Sequence, residues 1–181
     1  MKLIALGDSC TYGQGVRASE AWPAVLERLT GHDVRNAGVC GDTTRLGLER
    51  FPRDVQLHRP NVVVVQFGHN DANMWASDPG VPRVSAEAYI ANIYDMLARI
   101  GKSGAIGIVL QPHAAPDLDY DFNQRLLDYW AGVRMSESRP ARVSVPVKIP
   151  APPVSILNDG YGVHPDVAMH ERYAELVAAA L

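Results

Sequence analysis

Cysteine is almost absent from this chain. Cys10 and Cys40 are the only two, too few for a disulfide scaffold and in no metal-ligand spacing, so they read as free thiols of a reducing compartment. Long apolar runs are missing as well. The longest, Val-Val-Val-Val at 62–65, falls far short of the ~20 residues that a bilayer-spanning helix needs, so no membrane span is expected. Neither sign of charge dominates: 17 Lys and Arg against 20 Asp and Glu leave a net charge of -3. With no Lys/Arg cluster there is no footprint for a phosphate backbone, and nucleic acid is not expected as a partner. Repeats, linkers and low-complexity tracts are lacking. A first strand expected from residue 2 leaves no room for the basic and apolar regions of a signal peptide, which places the expected location in the cytoplasm. What remains is an ordinary soluble composition, 47% hydrophobic and 20% charged over 181 residues, enough to bury one core in a single domain spanning residues 1–181.

The apolar residues that are present alternate between two periods. Residues 3–6 form a short aliphatic run that stops at Gly7-Asp8-Ser9, the pattern of a buried strand ending at a sheet rim. Residues 19–31 carry Trp22, Val25, Leu26 and Leu29 at helical spacing, with Ser19 as the expected N-cap and Pro23 in the first turn. Residues 33–37 suit a second short strand, and residues 43–50 a helix with a Thr cap. The uninterrupted valines of residues 61–67 predict a central strand covered on both faces. A helix over 85–101 and a strand over 105–110 complete a crossover that ends at Gln111-Pro112-His113. An acidic loop then leads to a helix over 122–135 with Leu126, Leu127, Trp130 and Val133 on one face. Residues 143–149 alternate Val143, Val145, Val147 and Ile149 with polar positions, and the internal Pro146 makes this fifth strand an edge. Pro165 is expected to open a last helix packed through Met169, Tyr173, Leu176, Val177 and Ala180. Alternating strands and helices with right-handed crossovers give a three-layer α/β domain with five parallel strands.

Four polar blocks follow the strands or precede the last helix: Gly7-Asp8-Ser9, Asn36-Ala37-Gly38 running on to Val39-Cys40-Gly41-Asp42-Thr43-Thr44, Gly68-His69-Asn70-Asp71, and Gly162-Val163-His164-Pro165. Any one alone is an ordinary turn composition. At the carboxyl ends of parallel strands, however, they fall where open α/β sheets bind ligands. A serine hydroxyl such as that of Ser9 needs a base to become a nucleophile. Of six histidines, His32 and His58 fall at helix ends and His170 inside the last helix, where surface or capping roles are expected. His164, mounted before a proline-started helix, is the preferred base. His113 is the reserve, otherwise lining the pocket, and His69 shapes its loop or touches substrate. The amide of Gly38 and the side chain of Asn70 suit donors for a developing oxyanion.

These blocks together resemble the SGNH subgroup of the GDSL esterases and lipases, over nearly the whole chain. The resemblance implies a flavodoxin-like sheet of order 2-1-3-4-5, Ser9 as nucleophile, His164 as base, and an oxyanion hole from the Ser9 and Gly38 amides with the Asn70 side chain. It also implies that neither metal nor organic cofactor is needed. One departure stands out: the family's acid usually sits three residues before the histidine, and position 161 is Tyr. Asp159, on a loop with Gly160 and Gly162, is the expected substitute, with Asp166 as rival and a Ser-His dyad as the third possibility.

The expected activity is hydrolysis of a small-molecule carboxylic ester. Short rim loops and the aromatics Tyr12, Trp22, Trp75 and Tyr161 favour a shallow site for an acetyl or other short acyl group on a sugar or alcohol. Longer acyl chains, as for a lysophospholipase or thioesterase, are the second reading, and a non-catalytic acyl- or sugar-binding module on the same fold is the third. Acyl transfer shares the same acyl-enzyme and stays open, as does the oligomeric state.

Overall fold

The computed structural model describes residues 1–135 and 154–181. The predicted edge strand at 143–149 lies outside the described residues. The elements run β1 (Lys2–Gly7), α1 (Ser9–Tyr12), α2 (Trp22–Thr30), β2 (Asp33–Gly38), α3 (Thr44–Asp54), a 3-10 turn (Gln56–His58), β3 (Val62–Gln66), α4 (His69–Ala72), α5 (Ala86–Lys102), β4 (Ile106–Val109), α6 (Tyr120–Met135) and α7 (Val167–Ala178). The four described strands are all parallel, in the order β2-β1-β3-β4. This is the expected order for those strands, with β1 and β3 central.

Strand alternation divides the core between the two faces of the sheet. Ile4, Leu6, Val63 and Val65 face one way and pack with Phe51, Tyr89, Ile93, Leu97, Leu126 and Trp130 of α3, α5 and α6. Leu3, Ala5, Val62 and Val64 face the other way and pack with Trp22, Leu26, Met169, Tyr173 and Val177 of α2 and α7. Each fully buried valine or leucine contributes about 1.5–3 kcal/mol. That loading makes β1 and β3 a rigid base for the loops at their carboxyl ends.

Several helix boundaries differ from expectation. α2 begins at Trp22, and its N-cap is Ala21 without a side-chain cap. Ser19 instead offers its carbonyl to the Arg28 guanidinium, and Leu29 is exposed. α3 runs past residue 50 and through Pro52 to Asp54. One internal proline removes a single hydrogen bond, and the Arg50–Asp54 ion pair at 3.0 Å ties the turn across it. In α6 Leu127 is exposed, and Tyr129 joins Leu126, Trp130 and Val133 on the buried face. α7 is opened by Asp166, whose carboxylate accepts from Met169 N at 2.9 Å, and Pro165 pairs with Ile156 just before it. His170 is fully buried and not at the surface, because its Nδ1 accepts the backbone N–H of Trp22 at 3.2 Å and so joins α7 to α2.

Candidate active site

β1 ends at Gly7, where a Cβ would fall 2.1 Å from Thr11 Oγ1 and 2.5 Å from Gln66 O. Only glycine lets the chain turn so tightly against β3. Asp8 then caps the single turn of α1 by accepting from Cys10 N at 2.9 Å, and Ser9 takes the first helical position. The loop after β3 is built the same way. Gly68, at φ 145, precedes the short turn of α4 and brings His69, Asn70 and Asp71 to the rim. The Asp71 carboxylate accepts both Thr44 N (3.0 Å) and Thr44 Oγ1 (2.5 Å), which locks α4 to the start of α3. Between β2 and α3, residues 39–43 are held by Val39 N on Gly7 O (3.0 Å) and by Arg50, which reaches Asp42, Ala37 O and Gly7 O.

The fourth block comes from the far end of the chain. Leu157 N donates to His164 O at 2.9 Å and Asp166 N to Ser155 O at 3.1 Å, so residues 155–166 form a narrow hairpin-like loop with Gly160 (φ 82) and Gly162 (φ 71) at its turn. This fold puts His164 Nε2 3.0 Å from Ser9 Oγ, across 155 residues of sequence. The Asp159 carboxylate hydrogen-bonds His164 Nδ1 and also accepts Tyr161 N at 3.0 Å. Burial alone would raise the Asp159 pKa, but the hydrogen bonds from His164 and Tyr161 outweigh it and hold the carboxyl below its usual range. Asp166 is occupied with its helix cap and with Ser155 Oγ.

Behind this row lies a buried histidine pair. His113 Nε2 bonds Val163 O at 2.8 Å, so that nitrogen carries the proton and Nδ1 accepts from Tyr173 OH at 2.7 Å. His69 Nε2 donates to His113 O at 2.9 Å, and the two rings lie 4.3 Å apart. Burial drives the His69 pKa down to about 4 and that of His113 well below the ordinary range. Both rings are therefore neutral, each fixed in one tautomer by its carbonyl partner. Burial also pushes the Asp8 carboxyl up to about 7 and that of Asp71 up to about 6, against the hydrogen bonds they accept.

Ser9 and His164 open on a cleft of about 390 Å³. Gln14, Cys40, Gly41, Asn70 and Asn73 supply its polar wall, and Leu118, Phe122, Tyr161 and Val163 its apolar wall, with His69 also exposed to it. Of the residues expected there, Ser9, His164, His69, Asn70 and Tyr161 line the cleft, and Asp159 stands directly behind His164. The other expectations are corrected. Gly38 is not at the cleft: its N–H donates to Asn36 Oδ1 at 2.9 Å, and a Cβ there would sit 2.2 Å from Tyr12 N. Its role is to let β2 and α1 touch. Gly41, three residues later and at φ 83, takes the place at the cleft wall. Tyr12 is 56% exposed on the outer side of α1, and Trp75, 58% exposed, stacks under the Arg83 guanidinium at 4.7 Å. His113 is sealed behind Val163, able to steady the loop of His164 but not to meet a ligand.

Sequence reasoning missed Gly41, although Asn-Ala-Gly-Val-Cys-Gly-Asp-Thr offers two glycines and the second adjoins the Thr cap of α3. Gln14, Asn73, Leu118 and Phe122 carried no local signal. Among the described residues no cluster of three or more His, Cys, Asp or Glu is placed to hold a metal ion, and no helix is long and apolar enough to cross a membrane.

Comparison with known proteins bears on this arrangement. The sequence profile of the GDSL-like Lipase/Acylhydrolase family matches residues 5–172. An arylesterase of Vibrio mimicus is 26% identical over 185 residues, covering 99% of this chain and 88% of its own. The thioesterase 1/protease 1/lysophospholipase L1 of Escherichia coli K12 is 42% identical over 71 residues, 38% of this chain and 34% of that protein. Among solved structures, a lipase/acylhydrolase from Enterococcus faecalis superposes with a TM-score of 0.76 at 22% identity, over 99% of this chain and 94% of its own, a likeness of fold.

Proposed function

The chain belongs to the GDSL-like lipase/acylhydrolase family, a carboxylic ester hydrolase, and from that premise we propose that it cleaves a short-acyl ester of a sugar or other alcohol through an acyl-enzyme on Ser9. The observation that carries this reading is the 3.0 Å contact of Ser9 Oγ with His164 Nε2, with the Asp159 carboxylate on the opposite ring nitrogen. His164 Nε2 takes the Ser9 proton as Oγ attacks the acyl carbon, and Asp159 fixes the tautomer and stabilises the imidazolium. The oxygen of the tetrahedral intermediate meets the Ser9 N–H, the Gly41 N–H and the Asn70 side-chain amide, three donors on residues that line the cleft, with no acceptor hydrogen-bonded to them among the described residues. His164 returns the proton to the leaving alcohol. Water then attacks the acyl-Ser9 carbonyl by the same route and releases the acid.

An open cleft of about 390 Å³ with a short apolar wall supports a small acyl group and a polar alcohol beside Gln14 and Asn73. A second reading, longer acyl chains, has specific support in Leu118 and Phe122 on that wall. A p-nitrophenyl ester series from acetate to palmitate decides between them. The highest kcat/KM is expected at acetate to butyrate, and a rise toward longer chains selects the second reading. A fluorophosphonate probe is expected to label wild type and not Ser9→Ala, with stability of the variant nearly unchanged. Turnover retained by Ser9→Ala would remove Ser9 as the nucleophile, and a wild type with neither labelling nor turnover would leave a binding module.

A further inference from the structure

We propose that Arg83 is a positioning residue that aims two of the oxyanion donors at once. This inference rests on the reading of Asn70 and Gly41 given above. Arg83 lies in the segment between α4 and α5, thirteen residues beyond Asn70, and approaches the cleft from behind its polar wall. Its Nη1 donates to Asn70 Oδ1 at 3.4 Å, and its Nη2 donates to Gly41 O at 3.1 Å.

Each contact has a consequence for a neighbouring N–H. A guanidinium has only donors, so the edge of the Asn70 amide that faces it must be the oxygen. The amide NH2 is then turned away from Arg83, toward the cleft that Asn70 lines. Without a donor on that side, the amide can rotate and present a carbonyl oxygen to the oxyanion, which repels it. On Gly41, the bond to the carbonyl acts with Asp42 N on Val39 O at 3.2 Å to fix the Gly41–Asp42 peptide plane, and so anchors the Cα from which the Gly41 N–H of the preceding peptide projects. That residue holds φ 83 with open space where a Cβ would be, so no side-chain packing helps to hold it. Arg50 grips Asp42 from the far side at 2.6 Å. The loop is therefore clamped by two guanidinium groups, and among the described residues Arg83 is the side chain that hydrogen-bonds both Asn70 and Gly41.

Arg83 is itself held. The guanidinium carbon sits 4.7 Å from the centre of the Trp75 ring, Arg83 N donates to Asn73 O at 2.8 Å, and the positive charge favours the ionised Asp71 carboxylate. This accounts for Trp75, an exposed indole off the cleft that the ester chemistry does not otherwise use. A planar fork that spans two acceptors is a task for Arg and not for Lys, whose ammonium is a point donor.

The test uses the purified full chain with p-nitrophenyl acetate and five variants: Arg83→Met, Arg83→Lys, Arg83→Ala, Asn70→Ala, and Arg83→Met combined with Asn70→Ala. One oxyanion donor supplies about 10²–10³ in rate, so Asn70→Ala is expected to lower kcat by that factor. Arg83→Met is expected to lower kcat about tenfold, a part of that donor's effect, with KM within about twofold. In the Asn70→Ala background the same change should cost only about two- to threefold, since residues that act through one another are non-additive. Arg83→Lys should fall on the Met side of wild type, and it stands in where the Met variant does not fold. Guanidinium chloride at tens of millimolar should restore part of kcat to Arg83→Ala and none to Asn70→Ala. A raised KM with kcat intact would make Arg83 a substrate contact and overturn the proposal. So would an equal loss in both backgrounds, or full activity in Arg83→Met beside a crippled Asn70→Ala. Full activity in Asn70→Ala would instead remove the reading of the oxyanion hole on which the proposal stands.

Discussion

Asp8 is the least comfortable charge in the molecule, and Asp8→Asn turns that discomfort into a measurable slope. Its carboxyl is 1% exposed, one oxygen caps α1 through Cys10 N, and the other has no partner among the described residues. Burial raises its pKa from an ordinary 3.8 to about 7. Between those two values the folded chain binds the proton and the unfolded chain does not. The carboxyl therefore contributes stability that is complete below the unfolded value and is lost as pH rises through the folded one. The full span of about three pKa units corresponds to roughly 4 kcal/mol, of which about 2–3 kcal/mol falls between pH 5 and pH 8. An asparagine keeps the capping oxygen and never ionises. Buried histidines such as His69 and His170, which lose stability as pH falls from 6.5 toward their folded values of about 4, are common to both proteins and cancel in the difference. Urea unfolding of wild type and variant at pH 5, 6, 7 and 8 should show the variant gaining about 2–3 kcal/mol relative to wild type across that range. Parallel profiles would mean that water reaches the Asp8 carboxyl and that the folded site does not resist its charge.

Two further outcomes follow from the geometry. Asp159→Asn should lower kcat by about 10²–10⁴-fold by favouring the wrong tautomer of His164, while Asp166→Asn, at a helix cap, leaves kcat within a few-fold; steady-state kinetics of both variants checks this, and near-normal turnover in Asp159→Asn would establish a dyad. Gly41→Ala should cost about 1–2 kcal/mol, the strain of a left-handed backbone without a clash, whereas Gly38→Ala should cost about 3 kcal/mol or more, because its Cβ meets the backbone of α1 at 2.2 Å. Thermal melts rank the two, and equal stability would refute the packing argument.

Much of the fold was legible because its signals are local. The Val62–Gln66 strand, buried at every position, can be nothing but central, and the Thr43 cap of α3 is written in one residue. The rim blocks were legible for the same reason, since each is a short string at the end of a strand. What could not be read depends on contacts between distant segments. Gly38 and Gly41 are both loop glycines by sequence, and only the approach of Tyr12 to one of them tells which is structural. Arg83 sits in a polar stretch with no period, so its fork onto Asn70 and Gly41 has no sequence mark. His170 has a helical address like any surface residue, and its burial follows from where Trp22 lies. Trp75 and Tyr12 were misassigned because an aromatic near a rim block is equally often the back of a wall as its front.

The 155 residues between Ser9 and His164 have a consequence for how the protein comes into being. The serine follows β1 and the histidine precedes α7. Closing a chain of that length costs roughly 4–5 kcal/mol of entropy before any local reward. The contact becomes affordable only once the sheet has drawn the intervening segments together and α7 has docked on α2 through His170 and Trp22. No partial chain lacking the last thirty residues or so can hold a working pair, however well its sheet is formed. Ester turnover in this molecule is thus a readout of completed topology, absent until α7 has docked.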